Sequence, residues 1–302
     1  MNHRSIFSSA PARGWLPWGL LAPVVALALV IASDFPSSAL LEQGGFLDAQ
    51  GEPVGTQGLI AYLLISFLAW GGVVLAWIMV VERRPLGTIG LSRPGGARSF
   101  LRGHLIGLAT IAAVVAGIWI AGGYHASDIF PAFSAPGAMA GIALLLVSFA
   151  VQSSVEEFVF RGWLLSVITR RLNLIIAVVL SSAVFTLLHF SRGQPLLVTA
   201  NVALFAIFAC CWAILANNIW GVMGWHAGWN WLQATGFETP VTGLDTHTAA
   251  LLVRLTPQGA DLITGGAQGA EGSIVCTLFF AISIVILLAR ICRRSTSETE
   301  IS

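Results

Sequence analysis

Eight apolar stretches, each close to the length of a membrane-crossing helix, fill most of this 302-residue chain. A helix needs about 20 apolar residues to cross about 30 Å of hydrocarbon. Because lipid offers no hydrogen-bond partners, each stretch must satisfy its backbone groups internally, which favours helices over open strands. The sequence therefore predicts an all-α fold, a polytopic membrane bundle of about eight transmembrane helices, with the fourth helix continuing to about residue 170. The stretches cover residues 15–33, 59–81, 102–122, 138–160, 174–190, 196–216, 218–235 and 273–291.

The composition fits a chain that uses the bilayer as its solvent. Hydrophobic residues make up 56% of the chain and charged residues only 10%, whereas soluble domains carry about 25% charged residues. The net charge is +1 and the sequence has no basic tract, so we expect no nucleic-acid partner. We divide the chain into a three-span N-terminal region at 1–137, a motif-bearing core at 138–235, and an external loop with a final helix at 236–302.

Arginine placement predicts the orientation of the bundle. Positively charged residues concentrate on the cytoplasmic side of membrane proteins. Here they precede the first stretch, fill the connection between the second and third, and follow the fourth and eighth. The acidic connections at 34–58 and 236–272 would lie on the other side, so both termini are expected to be cytoplasmic. The arginines concerned are Arg4, Arg13, Arg83, Arg84, Arg93, Arg98, Arg102, Arg170, Arg171, Arg293 and Arg294.

The first stretch also has a second interpretation. Arginines ahead of an apolar run are typical of a signal peptide, and residues 30–33 form a weak cleavage site. The run of about eighteen residues is longer than a usual signal-peptide core. We therefore favour a retained transmembrane helix.

Two adjacent carboxylates, Glu156 and Glu157, lie inside one of the most apolar stretches. Each charge costs about 2.5–3.5 kcal/mol at the centre of a membrane helix, so a sequence that keeps both is expected to use them. Arg161 lies four residues after Glu157, on the same helix face and in the order that favours an ion pair. Adjacent helical side chains point about 100° apart. We therefore predict that Glu157 pairs with Arg161 and that Glu156 is free to face a pocket.

Three further polar side chains lie in apolar stretches. Glu156 precedes the arginine-bearing turn after the fourth stretch by about fifteen residues, and His189 follows that turn by about sixteen, so two helices rising 1.5 Å per residue bring both to one level. Phe185 lies one turn before His189, where it would pack beside the imidazole. His226 and Asn230 share one face of the seventh stretch, where small neighbouring residues allow close helix packing. The sequence therefore predicts one polar cluster from three helices.

This set of side chains suits amide hydrolysis by either of two mechanisms. A partly desolvated Glu156 can act as general base toward a water that His189 orients, while His226 and Asn230 donate hydrogen bonds to the developing oxyanion. Alternatively, Glu156, His189 and His226 can hold a catalytic zinc with one open position. The sequence leaves zinc and metal-independent catalysis open. It contains neither H-E-x-x-H nor G-x-S-x-G, so zincin and serine-hydrolase interpretations lack support.

Two other functional classes are compatible with the same residues. Buried Glu, His and Arg side chains relay protons in transporters, although a proton-coupled transporter would show paired repeats and interrupted helices, and the sequence shows neither. A non-catalytic membrane scaffold or immunity protein could also retain the motifs, with the histidines joining helices by hydrogen bonds. The combination of three motifs favours an enzyme.

The three motifs resemble those of the CPBP intramembrane proteases, the family of CAAX prenyl proteases and bacteriocin-processing proteins also called Abi. That family carries E-E-x-x-x-R, F-x-x-x-H and H-x-x-x-N on successive motif helices. Here the motifs begin at Glu156, Phe185 and His226. The resemblance covers residues 138–235, and the other stretches are assigned from hydropathy alone.

The resemblance implies an eight-helix intramembrane endopeptidase that cuts membrane-associated, often prenylated, protein or peptide substrates in the lipid bilayer. By this likeness Glu156 and His189 would activate water, and His226 and Asn230 would form the oxyanion site. Bacterial members also process peptide precursors, confer immunity or act as scaffolds, so the implied location is a bacterial plasma membrane and the substrate stays open. The supporting residues would be Glu157, Arg161 and Phe185.

Overall fold

The computed structural model describes residues 6–91 and 94–299, with only the backbone described for 295–299. Arg4 and Arg93, which contribute to the predicted orientation, lie outside the described residues. The described helices are α1 Ala22–Gln43, α2 Gly55–Ala76, α3 Gly96–Ile120, α4 Ala138–Glu157, α5 Leu165–Arg171, α6 Leu174–Leu188, α7 Leu196–Ala216, α8 Trp220–Trp231, α9 Asp261–Thr264 and α10 Ile274–Thr299.

The predicted all-α membrane bundle is confirmed. Six helical segments of the described chain are long and apolar enough to cross a membrane. The fifth and seventh predicted stretches form shorter helices, α6 with 15 residues and α8 with 12, and α8 is almost entirely buried inside the bundle. The six long segments are Ala22–Gln43, Gly55–Glu82, Gly96–Ile120, Ala138–Arg171, Leu196–Ala216 and Gly266–Arg294.

Three helices continue through π-helical turns. α2 continues through Trp77–Glu82, α4 continues through Phe158–Leu164 into α5, and α8 continues through Leu232–Gly236. The expectation that the fourth stretch stays helical to about residue 170 is therefore confirmed. Short π segments inside α-helices are frequent at functional sites. The segment after α4 begins directly beyond the two adjacent glutamates and contains Arg161.

The first helix departs from the prediction. The sequence places it at 15–33, whereas α1 runs from Ala22 to Gln43. The backbone N–H groups of Gly14 and Trp15 instead donate to carbonyls near the end of the second span, at 2.9 and 3.0 Å. This segment therefore crosses the end of a neighbouring helix before α1 begins. Hydropathy detects apolar composition, but these long-range backbone hydrogen bonds decide where the helix starts.

The shift of α1 changes the position of Asp34. Hydropathy assigns Asp34 to an external connection, and that assignment is wrong because the residue lies within α1. A carboxylate near the middle of a membrane helix costs about 2.5–3.5 kcal/mol. A single charge barely lowers the mean hydropathy of a long apolar stretch, so hydropathy alone gives it no special weight. The weak cleavage site at 30–33 also falls within α1.

A small antiparallel sheet joins two connections outside the helices. Strand β1, Tyr124–Ile129, pairs with β2, Val253–Pro257, and the sequence analysis predicts neither strand. Arg254 donates to Asp128 at 2.8 Å and to Glu238 at 3.0 Å. The hydrogen bond that Arg254 donates to Glu238 raises the pKa of the Arg254 guanidinium. The sheet therefore ties the long loop after α8 to the connection between α3 and α4.

Glycines allow α3 and α8 to pack with their backbones in contact. A Cβ atom on Gly103 would lie 1.9 Å from the carbonyl oxygen of Gly221, and one on Gly224 would lie 1.9 Å from that of Phe100. Small residues at helix interfaces permit this approach in membranes. The predicted close packing beside Gly228 is confirmed, since a Cβ there would lie 2.4 Å from a carbonyl oxygen of α3. This contact fixes α8 in the centre of the bundle.

Candidate active site

Three helices bring one carboxylate and two imidazoles together. Glu156 lies on the last turn of α4, His189 directly follows α6, and His226 lies in the middle of α8. The Nε2 atom of His189 lies 3.9 Å from Glu156 Oε1, and the Nε2 atom of His226 lies 3.9 Å from Glu156 Oε2. These gaps are too long for direct hydrogen bonds. The structure thus brings the predicted residues to one point and leaves a space between them.

The outward-facing nitrogen of each imidazole is already occupied. His226 Nδ1 lies 3.0 Å from Glu157 Oε1, and His189 Nδ1 lies 2.9 Å from the Phe185 carbonyl oxygen. An ionised carboxylate and a carbonyl only accept hydrogen bonds, so each Nδ1 must carry the proton and donate. In the neutral ring, Nε2 is then an acceptor. Both acceptor nitrogens face the carboxylate of Glu156.

The Glu156 carboxylate and the Nε2 atoms of His189 and His226 are all hydrogen-bond acceptors that face one space. A hydrogen-bond donor is therefore expected between them. A water molecule can lie about 2.8 Å from each of two atoms that are 3.9 Å apart, and it donates two hydrogen bonds. The carboxylate of Glu156 makes no direct hydrogen bond to any described residue, and its side chain is only 6% exposed. The geometry therefore suits a water held between Glu156 and an imidazole, where it is largely screened from bulk solvent.

The predicted ion pair between Glu157 and Arg161 is present. Arg161 Nη1 donates to Glu157 Oε1 at 3.1 Å, and both side chains are fully buried. The guanidinium also lies 4.2 Å from the ring centroid of Phe185, and the Phe185 ring stacks on His189 with their centroids 4.2 Å apart. The expected packing of Phe185 beside the imidazole is therefore confirmed. The buried pair is therefore linked to both site histidines. Glu157 accepts from His226 Nδ1. The backbone carbonyl of Phe185, whose ring packs on Arg161, accepts from His189 Nδ1.

Asn230 is also buried at the cavity wall. Its Nδ2 donates to Gln152 Oε1 at 3.1 Å and approaches Ser153 Oγ at 3.5 Å, while Oδ1 has no partner among the described residues. Ser153 Oγ in turn donates to Gln152 Oε1 at 3.0 Å. Gln152 and Ser153 were not predicted as site residues. The available signal was the position of Gln152, four residues before Glu156 and hence on the same helix face.

These residues line a cavity of about 460 Å³. The lining comes from α4, α8 and the segment after α6, and from α1, α2 and the loop after α8. Sequence reasoning finds no motif in α1 or α2, so it overlooks their contribution. The lining residues that they supply are Val30, Ser33, Asp34, Tyr62, Leu63, Ser66, Phe67 and Trp70.

The side chains as arranged do not fit a zinc ion. No group of three or more His, Cys, Asp or Glu side chains in the described part of the chain is placed to hold a metal. Ligands at about 2.0–2.1 Å from a tetrahedral zinc lie about 3.4 Å from one another. The Glu156 oxygens lie 3.9 Å from each imidazole nitrogen. The suggested zinc ligands Glu156, His189 and His226 are therefore too far apart, and a metalloprotease assignment has no support in the geometry.

A second buried ion pair was not predicted. Glu82 Oε2 accepts from Arg84 Nε at 2.7 Å, and Glu82 Oε1 accepts from the indole groups of Trp77 and Trp163 at 3.0 and 2.7 Å. Burial lowers the pKa of the Arg84 guanidinium, and Glu82 opposes that effect. Sequence reasoning treats Arg84 only as a loop charge. The pair instead joins the end of the second span to the π segment after α4.

Residues 138–232 match the family model described as type II CAAX prenyl endopeptidase Rce1-like. This segment is Rce1-like. The match contains all three motifs, and the resemblance to CAAX-type proteases is confirmed at the family level. No curated protein and no solved structure matches the chain. The chain has several helices apolar enough to span a membrane, and the segment similar to CAAX endopeptidases contains Glu156, His189, His226 and Asn230.

Proposed function

We propose that this protein is an intramembrane endopeptidase that hydrolyses peptide bonds of membrane-associated proteins or peptide precursors, including prenylated CAAX-type substrates. The observation that carries the proposal is the space between Glu156 and the Nε2 atoms of His189 and His226, each 3.9 Å from a carboxylate oxygen. The Rce1-like match over the same helices supports the substrate class.

In the proposed reaction, Glu156 removes a proton from a water that also hydrogen-bonds to His189 Nε2. The water oxygen forms a bond to the carbonyl carbon of the substrate, and the carbonyl oxygen becomes an oxyanion. The proton on Glu156 then passes to the amide nitrogen as the C–N bond breaks. The products are a new carboxyl terminus and a free amine, so atoms and protons balance without a metal.

His226 and Asn230 are proposed to stabilise the oxyanion. The Nε2 atom of His226 can donate only when the ring carries a proton on both nitrogens, since Nδ1 already donates to Glu157. Asn230 Nδ2 carries two hydrogens, of which one is directed at Gln152. Donors fixed before the reaction stabilise a developing charge at little reorganisation cost.

The test is proteolysis by the purified protein in vesicles that contain membrane-anchored peptides. Glu156→Gln and His189→Asn are expected to abolish cleavage, whereas His125→Asn, an exposed histidine on β1, is expected to leave it unchanged. Mass spectrometry of the products identifies the bond that is cut. Undiminished cleavage by Glu156→Gln would show that another group activates the water.

We also propose that both termini face the cytoplasm. The support is a shared arginine-rich end of the bundle, where Arg170 and Arg171 donate to backbone carbonyls of the segment before α1, and Arg294 donates to one at the end of α7. Positive charge marks the cytoplasmic side. Fusions of each terminus to a reporter that is active only in the cytoplasm test the orientation, and activity at one end alone would contradict it.

A further inference from the structure

Asp34 is an unpaired carboxylate inside a membrane span. It lies in α1 between Ser33 and Phe35 and is exposed, and Arg13 and Glu42 are the nearest ionisable residues in sequence. Among the described residues it has no cationic partner, and its carboxylate accepts only a 3.4 Å contact from Ser38 Oγ. Ionisable side chains within spans usually face a cavity and serve a function. The absence of an internal partner indicates that the partner comes from outside the chain.

The carboxylate faces the catalytic cavity. Asp34 lines the same space as Glu156, His189 and His226. Those lining residues include no Arg or Lys, so Asp34 and Glu156 are the charged groups of the wall apart from the histidines. Arg161, in the π segment after α4, is fully buried against Glu157. Histidines aside, the charged side chains that line the described part of the cavity are therefore the carboxylates of Asp34 and Glu156.

This charge distribution decides which substrate groups the cavity can accept. A guanidinium or ammonium side chain would find a carboxylate placed for a charge-assisted hydrogen bond. Such a pair is favoured in a cavity shielded by apolar walls, where the effective dielectric constant is lower than in water.

We propose that Asp34 is a specificity residue that binds a basic side chain of the substrate, and that the enzyme cuts an internal bond beside that residue. This inference rests on the proposed peptidase function of the same cavity. It does not require Asp34 in the chemical step, since water activation belongs to Glu156.

The experiment uses pairs of membrane-anchored peptides that differ at one position, arginine in one and citrulline in the other. Citrulline keeps the shape of arginine but carries no charge. The parent protein is expected to cleave the arginine peptide with a kcat/KM about tenfold higher, equivalent to about 1.4 kcal/mol. Asp34→Asn is expected to lose that preference and to cleave the arginine and citrulline peptides with equal kcat/KM. A lysine peptide shows whether the guanidinium shape matters beyond its charge.

Two further variants test whether the preference depends on the charge at position 34. Glu42→Gln removes an exposed carboxylate from the end of the same helix, outside the cavity, and is expected to keep the parental preference. Asp34→Arg is expected to reverse it, so that a glutamate peptide is cleaved faster than an arginine peptide. Equal cleavage of both peptides by the parent, or an equal loss on both in Asp34→Asn, overturns the proposal.

A binding measurement keeps this test independent of catalysis. Fluorescent arginine and citrulline peptides are titrated into the Glu156→Gln protein in vesicles, with and without Asp34→Asn. About tenfold tighter binding of the arginine peptide, lost in Asp34→Asn, supports the role of Asp34 even if the parent cleaves nothing. Absence of cleavage by the parent argues against the peptidase function, whereas equal binding of the two peptides argues against the Asp34 site.

Discussion

His226 Nδ1 and Glu157 Oε1 lie 3.0 Å apart, and the same carboxylate oxygen accepts a hydrogen bond from Arg161. The second glutamate of the adjacent pair therefore does more than neutralise an arginine. It fixes the tautomer and the orientation of an imidazole on another helix, so that Nε2 points at Glu156. The two glutamates thus have separate tasks, one inside the cavity and one behind its wall.

Removal of either member of the buried ion pair is expected to be strongly destabilising. Glu157→Leu or Arg161→Met leaves the other charge buried without a partner, at a cost of about 3–5 kcal/mol. The double variant removes both charges and is expected to recover most of that stability but not the activity, because His226 stays without its Nδ1 acceptor. Unfolding in detergent and peptide cleavage measure the two effects. A double variant with parental activity would show that Glu157 does not position His226.

Glu156→Gln is expected to lower the cleavage rate by about 10²- to 10⁴-fold, the usual contribution of a general base. The same change is expected to leave stability unchanged or slightly raised, because Glu156 makes no direct hydrogen bond to a described residue and its charge is costly to bury. Parallel measurement of cleavage and thermal unfolding separates the two. A large loss of stability would assign Glu156 a structural role instead.

Packing between α3 and α8 is expected to be sensitive to a single methyl group. In Gly224→Ala the new Cβ would lie 1.9 Å from the Phe100 carbonyl oxygen, so the helices must separate, at a cost of about 1–3 kcal/mol. Because His226 lies half a turn away, activity is expected to fall as well. Gly72→Ala is the matched control, since a Cβ there meets nothing within 4 Å. Equal stability of the two variants would contradict the close contact.

Cleavage is expected to be insensitive to metal removal. Both imidazole nitrogens lie 3.9 Å from Glu156, and the proposed reaction needs only a water. Dialysis against a strong chelator, followed by metal analysis and assay of the same sample, tests this. Loss of activity that zinc restores would revive the three-ligand alternative with Glu156, His189 and His226.

Interactions within one helix or one hairpin could be predicted from the sequence. The ion pair between Glu157 and Arg161 follows from a four-residue spacing, and the approach of His189 to Glu156 follows from equal helix lengths on either side of a turn. Both predictions use only the rise and period of an α-helix. These regularities hold wherever the residues are helical, so no tertiary information was needed.

Contacts between distant segments could not be predicted in this way. The hydrogen bonds from His226 to Glu157 and from Asn230 to Gln152 join α8 to α4, and both depend on the glycine contact with α3 that sets the position of α8. Hydropathy also gave no sign that Glu82 is buried, since a charge at the end of an apolar run is usually solvated.

The sequence by itself determined an all-α membrane bundle, its three motifs and the identity of the polar residues within it. Only the tertiary structure placed Asp34 inside α1 and on the wall of the cavity that Glu156 also lines. Apolar periodicity records which segments avoid water, a property of local composition. Where a helix begins and which side chains share a cavity depend on backbone and packing contacts between segments far apart in the chain, and these form only when the helices assemble.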